Sequence, residues 1–584
     1  MPILSGVLLP FLIYRRTNNG VIMHYENFLT VTYAPAGYLN DNSLDQIKAD
    51  IEKVGRYIKL DKIYLETYRS EVLIEREKME AVKALFKEKG YLVSGGITTT
   101  VKHTLMGSMC FTDPENRKRL GEIAAYTAQV FDEIILDDFY FTNCRCESCI
   151  KAKGDRDWAS FRLALMNDIS ENVIIKNAKA ANPKVNVIIK YPNWYDSFQA
   201  NGYNLEDEPK MFDMIYTGTE TRDPHYTHQN LPRYLSFFLP RLLEHIKPGK
   251  NGGGWYDLFE CTLEDYVQQA YLTLFSKCRE QMLFCFPLLV YAPLYTAAVG
   301  AFYDEADQFM GQIGEPMGVA CYKPYHSYGE RLLHEFVGMS GIPLDPYPYY
   351  PENAKTLFLT ADAAWDGEIV GKIKQSLLNG SKVFITSGLY EKLADRGIKD
   401  ILPVEITNRK ITTDTFTNSG IGRGNCGYVK AASPITLPHV AYNENDLWVL
   451  TSAITPYSSH SLLLCGAYGK GSLYILTVPD AFADLYNLPV ETLNLIRREF
   501  NLPITLECAG RISLFPYDNN TFILQSFIDR PEQVRIRINK PGVSLVPLIK
   551  PGIRPFEIVR SGENESVFDT RIMPGHYLVF KIEG

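Results

Sequence analysis

Carboxylate side chains recur where short apolar stretches of the sequence end, and paired carboxylates can move protons during catalysis. Asp137 and Asp138 end one such stretch, Glu220 follows a second, and Asp257 ends a third. One carboxylic acid can protonate a leaving group while a second carboxylate acts as a base or as a nucleophile. We therefore treat Asp138, Glu220, Asp257 and Asp137 as candidate catalytic residues.

These carboxylates also have a structural interpretation. The first pair could cap a helix or join an ion pair in a loop, and Glu220 could pair with Arg222 at the surface. Glu260 is a further acid close to Asp257. The sequence leaves open which of Glu220, Asp257 and Glu260 supplies the second carboxylate.

Aromatic and charged residues follow the same apolar stretches, where they could contact a substrate. Aromatic rings stack on sugar rings, and charged side chains hydrogen-bond to hydroxyl groups. Two carboxylates that flank a bond, walled by such groups, are what the hydrolysis of a glycosidic bond requires. The residues assigned to substrate binding on this basis are Glu66, Arg69, Tyr191, Trp194, Arg222, Trp255 and Glu260.

Four of the 11 cysteines form a separate motif. Cys144, Cys146 and Cys149 have the spacing C-x-C-x2-C, and Cys110 lies upstream after another predicted strand. Four thiolates can share a tetrahedral Zn²⁺ ion, and such a site is closed to water and therefore structural. The alternative is a set of unconnected thiols. No motif indicates an organic cofactor.

The elements that position these residues alternate between β-rich and helical patterns from Phe28 to about Ile313. Eight βα units of this kind predict a TIM barrel, with its active site at the carboxyl ends of the strands. An open, doubly wound sheet is the alternative. The predicted strands are Phe28–Tyr33, Lys62–Glu66, Tyr91–Gly96, Glu133–Asp137, Val185–Lys190, Met214–Tyr216, Gly254–Asp257 and Met282–Phe286.

The rest of the chain predicts two smaller domains. The proline-rich segment at 343–351 indicates a linker or boundary, and a smaller α/β pattern follows it. The last part has short alternating runs and turn dipeptides, which predict a small antiparallel β domain. The expected divisions are an N-terminal segment at 1–26, a barrel at 27–342, an α/β domain at 343–503 and a β domain at 504–584.

Composition narrows the class of protein. The chain has 584 residues, of which 46% are hydrophobic and 22% charged, and these values exclude disordered, fibrous and coiled-coil proteins. The net charge of −8 is spread without long runs of one sign, so neither nucleic acid nor a membrane is an expected partner. The scattered cysteines favour the cytoplasm. The apolar run Ile3–Tyr14 would instead indicate the periplasm if it is a degenerate export signal.

The chain resembles glycoside hydrolase family 42 (GH42), a family of β-galactosidases. Members consist of a TIM barrel, an α/β trimerisation domain and a small C-terminal β domain, which is the order predicted here. They can hold zinc through one upstream cysteine and a C-x-C-x2-C group just after the fourth strand, as Cys110, Cys144, Cys146 and Cys149 would. The resemblance implies a glycosidase, a structural zinc ion and a homotrimer formed through the middle domain.

The resemblance also implies catalytic positions, with one departure. The family has an Asn-Glu pair after the fourth strand, its Glu being the general acid/base, and a Glu nucleophile at the seventh. This sequence has Asp137 and Asp138 there, so Asp138 aligns with the acid/base but differs in residue type. We expect a divergent glycoside hydrolase that acts on an oligo- or polysaccharide. The alternatives are a non-catalytic carbohydrate-binding protein and an amidotransferase-like domain at about 345–503, which no Cys-His pair supports.

Overall fold

The structure is a computed structural model that describes residues 24–101, 107–223, 231–418, 427–443, 447–549, 557–561 and 564–584. The apolar run Ile3–Tyr14 lies outside these residues.

Eight parallel strands form a closed barrel, because β1 pairs with β2 on one side and with β8 on the other. This confirms the TIM barrel and excludes the open sheet. Each predicted strand overlaps an observed one. The strands are β1 (Leu29–Ala34), β2 (Lys62–Arg69), β3 (Leu92–Ile97), β4 (Glu133–Leu136), β5 (Asn186–Tyr191), β6 (Met214–Gly218), β7 (Asn251–Asp257) and β8 (Glu280–Phe284).

The strands are buried on both faces, as expected for a parallel sheet wrapped by helices. Side chains two residues apart point to the same face, so Ile188 fills the barrel interior while Ile189 packs towards the outer helices. The interior is filled by Leu29, Val31, Tyr33, Tyr64, Ile135, Ile188, Tyr216, Trp255 and Met282.

A buried ion cluster fills the amino end of the barrel. The Nζ atom of Lys62 lies 2.5 Å from Oε1 of Glu133 and 2.8 Å from Oε1 of Glu280. Tyr64 donates a hydrogen bond of 3.0 Å to Glu133. The three charged residues are the first residues of β2, β4 and β8, so the cluster lies at the opposite end of the barrel from the candidate site.

Several helices begin at a residue whose side chain satisfies a free N–H group. Asp113 accepts from the N–H of Glu115 at the start of α4, and Thr262 forms a capping box with Asp265 at the start of α11. The helices of the barrel are α1 (Ala36–Asp41), α2 (Leu44–Val54), α3 (Arg76–Glu88), α4 (Pro114–Val130), α5 (Glu147–Lys153), α6 (Trp158–Ile169), α7 (Lys176–Ala181), α8 (Phe198–Asn201), α9 (Glu208–Met211), α10 (Leu235–Ile246), α11 (Leu263–Phe275), α12 (Phe286–Tyr291) and α13 (Pro293–Met310). A π-helical turn at Ser170–Ile175 joins α6 to α7, and Tyr195–Ser197 forms a 3-10 turn.

The second domain has a nine-stranded mixed sheet in the order β10-β9-β11-β12-β17-β16-β15-β13-β14. The first five of these strands are parallel and the others antiparallel. The strands are β9 (Val319–Tyr322), β10 (Leu344–Tyr347), β11 (Thr356–Leu359), β12 (Lys382–Thr386), β13 (Val404–Thr417), β14 (Tyr428–Tyr442), β15 (Trp448–Thr455), β16 (Ser458–Tyr468) and β17 (Gly471–Leu476). The helices are α14 (Leu333–Met339), α15 (Ile369–Leu378), α16 (Ser387–Leu393) and α17 (Val490–Glu499), with 3-10 turns at Ala361–Trp365, Ile398–Asp400 and Phe482–Asn487.

The start of this sheet differs from the expectation. β9 precedes residue 343, and the proline-rich segment read as a linker contains β10. Because β10 is an edge strand, Pro346 costs no ladder hydrogen bond on its open side, so the strand tolerates proline.

The C-terminal part is a small β domain of two four-stranded antiparallel sheets, as predicted. Their orders are β18-β21-β24-β23 and β19-β20-β25-β22. The strands are β18 (Ile504–Glu507), β19 (Ile512–Pro516), β20 (Thr521–Ser526), β21 (Glu532–Ile538), β22 (Ser544–Pro547), β23 (Glu557–Ser561), β24 (Ser566–Ile572) and β25 (Tyr577–Glu583). Throughout the described parts of the chain, no helix combines the length and apolar character needed to cross a bilayer.

Candidate active site

Two of the candidate carboxylates meet at one ammonium group at the carboxyl end of the barrel. The Nζ atom of Lys190 lies 2.8 Å from Oδ2 of Asp138 and 3.0 Å from Oε1 of Glu220. Asp138 follows β4, Lys190 lies in β5 and Glu220 follows β6, so three neighbouring strands bring the three groups together. All three residues are buried, at 9%, 1% and 5% exposure.

Lys190 was not among the residues predicted for the site. Its side chain points into the barrel, in phase with Ile188, and its ammonium lies 4.2 Å from the centroid of the Trp255 ring. A charged residue in an otherwise apolar strand was the available signal, because a fully buried lysine needs paired acids.

The third carboxylate belongs to a neighbouring pair. Asp257 ends β7 and accepts from Arg222 at 2.9 Å (Nη2) and 3.3 Å (Nε), and from the N–H of Phe259 at 3.1 Å. The predicted pair of Glu220 with Arg222 is therefore wrong, because Arg222 points to Asp257. The Oε2 atom of Glu220 has no hydrogen-bond partner among the described residues.

Asp137 belongs to a network on the other side of the site. Its Oδ2 atom accepts from Arg69 at 2.7 Å and from Thr98 at 3.0 Å, and its Oδ1 atom accepts from the N–H of Asp138 at 2.7 Å. Arg69 also bonds both oxygens of Glu66, at 3.0 Å and 2.9 Å. Asp137 therefore orients the backbone that carries Asp138.

Burial and charge move the pKa values of the carboxyls in opposite directions. Burial raises the pKa of Asp138 well above its usual value; Lys190 opposes this shift, while Asp137 and Glu220 add to it. Burial also raises the pKa of Asp257 to about 6, against the opposing charge of Arg222. Burial would raise the pKa of Asp137 too, but Arg69 and Lys190 outweigh it and the pKa lies below its usual value. Environments that separate carboxyl pKa values in this way mark acid and base roles.

The remaining predicted substrate contacts are dispersed. Trp255 is 2% exposed and stacks on Phe284 in the barrel interior. Tyr191 is fully buried on the opposite face of β5 from Lys190 and donates a 3.3 Å hydrogen bond to Glu208. Trp194 is half-buried after β5, and Glu260 is exposed. Among the predicted residues, Glu66, Arg69 and Arg222 therefore lie beside the candidate catalytic carboxylates.

The four cysteines come together as predicted, and the cluster could hold a metal ion. Their sulfur atoms all lie within 4.8 Å of one another, and Cys110 Sγ lies 3.6 Å from those of Cys146 and Cys149. Four thiolates on a tetrahedral Zn²⁺ at 2.3 Å would be about 3.8 Å apart, so the donor set and spacing fit zinc. Such an ion would join the loops after β3 and β4.

The carboxyl edge of the second sheet does not resemble a hydrolytic site. Lys323 pairs with Asp362 at 2.6 Å, and Glu330 accepts from Ala361 N–H at 2.8 Å and from Thr386 at 2.6 Å. Cys465 lies on β16, in the antiparallel half of the sheet. This placement offers no support for the amidotransferase-like alternative.

Comparison with known protein families decides the class. Residues 17–309, just over half of the chain, match the family model described as "Probable glycosyl hydrolase, catalytic domain". The chain belongs to this family. Residues 314–481 match "Uncharacterized protein SSO3021, second domain", and residues 503–582 match "Probable glycosyl hydrolase, C-terminal domain". This family is one of probable glycoside hydrolases, the class that the sequence predicted.

A curated relative is the uncharacterized protein SSO3021 of Saccharolobus solfataricus, 29% identical over 295 residues. That match covers 44% of this chain and 48% of the relative, so this chain spans about half the length of the relative it matches.

Solved structures share the whole architecture at low identity. One is Gan42B, a GH42 β-galactosidase from G. stearothermophilus, with a TM-score of 0.62, 12% identity and coverage of 95% of this chain and 98% of that one. Another is α-L-fucosidase isoenzyme 2 from Paenibacillus thiaminolyticus, with a TM-score of 0.63, 12% identity and coverage of 95% and 99%. At such identity the likeness shows the fold, and it confirms the GH42-like domain order.

Proposed function

We propose that this glycoside hydrolase uses Asp138 as its general acid and Glu220 as its second carboxylate. The observation that carries the proposal is the single ammonium of Lys190 bound to both. Because that ammonium touches one oxygen of each at 2.8 Å and 3.0 Å, those oxygens lie within about 6 Å of each other. Carboxyl groups about 5 to 5.5 Å apart characterise retaining glycosidases, whereas inverting ones need about 6.5 to 9.5 Å. We therefore propose retention.

In this mechanism the raised pKa of Asp138 favours its protonated form, which donates to the departing glycosidic oxygen. Glu220 attacks the anomeric carbon and forms a glycosyl-enzyme ester. Asp138, now a carboxylate, then removes a proton from the water that cleaves the ester, which restores both residues.

Two arginines are suited to hold the sugar. The side chains of Arg69 and Arg222 are 22% and 25% exposed, so part of each guanidinium faces the site while a carboxylate orients it. Such fixed donors hydrogen-bond to sugar hydroxyls with little loss of entropy on binding. We assign Glu66 and Asp257 to holding these arginines, with Asp257 as the alternative second carboxylate.

The substrate proposal draws on the structural relatives. They include β-galactosidases and an α-L-fucosidase by their printed names, so β-galactosides and α-L-fucosides are the first compounds to test. We further propose that the cysteine cluster holds structural zinc and that the chain forms a homotrimer through its second domain. The scattered thiols favour a cytoplasmic location.

The test compares the release of sugar from a panel of aryl glycosides and oligosaccharides by the wild type and by Asp138→Asn. We expect kcat to fall by about 10² to 10⁴-fold, the usual contribution of a general acid. Asp569→Asn is the matched control, because Asp569 pairs with Arg535 at the surface of the C-terminal domain. Turnover that survives Asp138→Asn would move the acid to another carboxylate. Binding of glycans without turnover by the wild type would favour the carbohydrate-binding alternative, in which the ion pairs of Lys190 neutralise the carboxylates.

A further inference from the structure

The loop after β5, residues 192–197, touches the candidate site at its first residues. Asn193 Nδ2 donates a 2.5 Å hydrogen bond to the backbone carbonyl of Glu220. A Cβ atom at Gly218 would lie 3.0 Å from Pro192 Cα and 3.1 Å from Asn193 N, so this loop and the end of β6 are in direct backbone contact. A shift of the loop would therefore move the backbone that carries Glu220.

The other end of the same loop is held by the second domain. The hydroxyl of Tyr195 donates a 2.6 Å hydrogen bond to Oε1 of Glu335, on α14. Asp196 Oδ1 lies 3.5 Å from Nζ of Lys323, directly after β9. Lys323 is itself fixed by Asp362 at 2.6 Å.

The residues that make these contacts are buried. Tyr195, Lys323 and Glu335 are 4%, 5% and 0% exposed. The Oε2 atom of Glu335 has no hydrogen-bond partner within the described residues, which leaves the tyrosine hydroxyl to satisfy the other oxygen. Losing a donor to a buried carboxyl oxygen costs more than losing an exposed hydrogen bond, because the acceptor stays dehydrated.

We propose that Glu335 and Lys323 of the second domain are positioning residues for the barrel's catalytic site, acting through the loop at 192–197 on Glu220. The assignment rests on the proposed function for its catalytic consequence, while the mechanical link rests on the contacts alone. In this arrangement the second domain helps to set the distance between Glu220 and Asp138, although it contributes no group to the reaction itself.

The experiment uses the full chain with Tyr195→Phe, which removes one hydroxyl and keeps the ring. Tyr350→Phe is the matched control, because it too removes a buried tyrosine hydroxyl. The Tyr350 hydroxyl contacts Ser376 at 2.9 Å, within the second domain, and not the loop at 192–197. Hydrogen–deuterium exchange is measured for peptides covering 192–201 and 217–223, together with kcat and KM. We expect faster exchange in both peptides for Tyr195→Phe, and a fall in kcat of about tenfold or more with little change in KM.

Unchanged exchange at 217–223 in Tyr195→Phe would overturn the proposal, whatever the activity. Faster exchange with an unchanged kcat would also overturn it, since the link would then have no catalytic effect. If the wild type cleaves no glycoside, the proposed function fails, but the exchange data still decide whether the second domain holds the loop. Lys323→Met and Lys323→Arg form a second pair, in which arginine should restore the slow exchange that methionine loses.

Discussion

The ammonium of Lys190 rests 4.2 Å from the centroid of the Trp255 ring, so the cation that joins Asp138 to Glu220 lies directly on the packed interior of the barrel. An aromatic face attracts a cation by about 0.5 to 2 kcal/mol, depending on its dehydration. The ring thus limits how far the ammonium of Lys190 can move away from the two carboxylates.

Replacing Lys190 by methionine should shift the pH profile upwards and lower kcat. Lys190 lowers the pKa of Asp138, so its loss would raise that pKa further and move the alkaline limit of activity to higher pH. We expect kcat at neutral pH to fall by about 100-fold. Lys190→Arg is the comparison, and a profile of Lys190→Met that overlies the wild type would contradict the assignment.

Glu220 and Asp257 can be distinguished by chemical rescue. If Glu220 is the nucleophile, Glu220→Ala leaves a cavity in which azide can attack the anomeric carbon, and the product is a glycosyl azide of inverted configuration. Asp257→Ala should show no such rescue, because the proposal assigns Asp257 to holding Arg222, with which it pairs at 2.9 Å, and not to attacking the anomeric carbon. Rescue of Asp257→Ala alone would transfer the nucleophile to β7, the position implied by the GH42 resemblance.

The cysteine cluster should bind about one zinc ion per chain, which elemental analysis of the purified protein would measure. Cys149→Ser should lose the metal and lower Tm, because the loops after β3 and β4 would no longer be joined. Cys508→Ser is the control, since Cys508 is 2% exposed in the C-terminal β domain, outside the cluster. Equal metal content in both variants would show that the four thiols do not hold the ion.

Glu208 should make the stability of the protein depend on pH. It is fully buried, and burial raises its pKa to about 8. An unfolded glutamate has a pKa of about 4.3, so the folded chain holds an extra proton between these values and stability falls as pH rises from about 4.3 to 8. Glu208→Gln should remove this loss, giving a flatter plot of Tm against pH.

The comparison for that measurement is Glu491→Gln, at an exposed residue in the first turn of α17. A change of 1 kcal/mol moves Tm by roughly 2 to 4 °C in domains of about 150 to 250 residues. Parallel plots for the wild type and Glu208→Gln between pH 5 and pH 8 would show that Glu208 is ionised in the folded protein.

The barrel was predictable because each βα unit repeats the same local pattern, and every predicted strand overlaps an observed one. The contacts of individual side chains were less predictable. Tyr191 was assigned to the substrate, yet strand alternation places it opposite Lys190, and its hydroxyl meets Glu208 from α9. Applying the same alternation to Ile188 would have placed Lys190 inside the barrel.

Other contacts could not have been found from the sequence. A pair of Glu220 with Arg222, two residues apart, was one alternative, but Arg222, which has a left-handed backbone (φ 48°), pairs with Asp257 instead. The link between Tyr195 and Glu335 joins residues 140 positions apart and depends on how two domains pack. Local pattern carries no information on such packing.

The ion cluster of Lys62, Glu133 and Glu280 closes the barrel at the amino ends of its strands. The barrel therefore has no open channel along its axis. Sugar, water and cleaved product must all enter and leave at the carboxyl ends of the strands. A glycan chain cannot thread through the filled interior, so the residues at the carboxyl ends of the strands and in the loops beyond them decide which sugars reach Asp138.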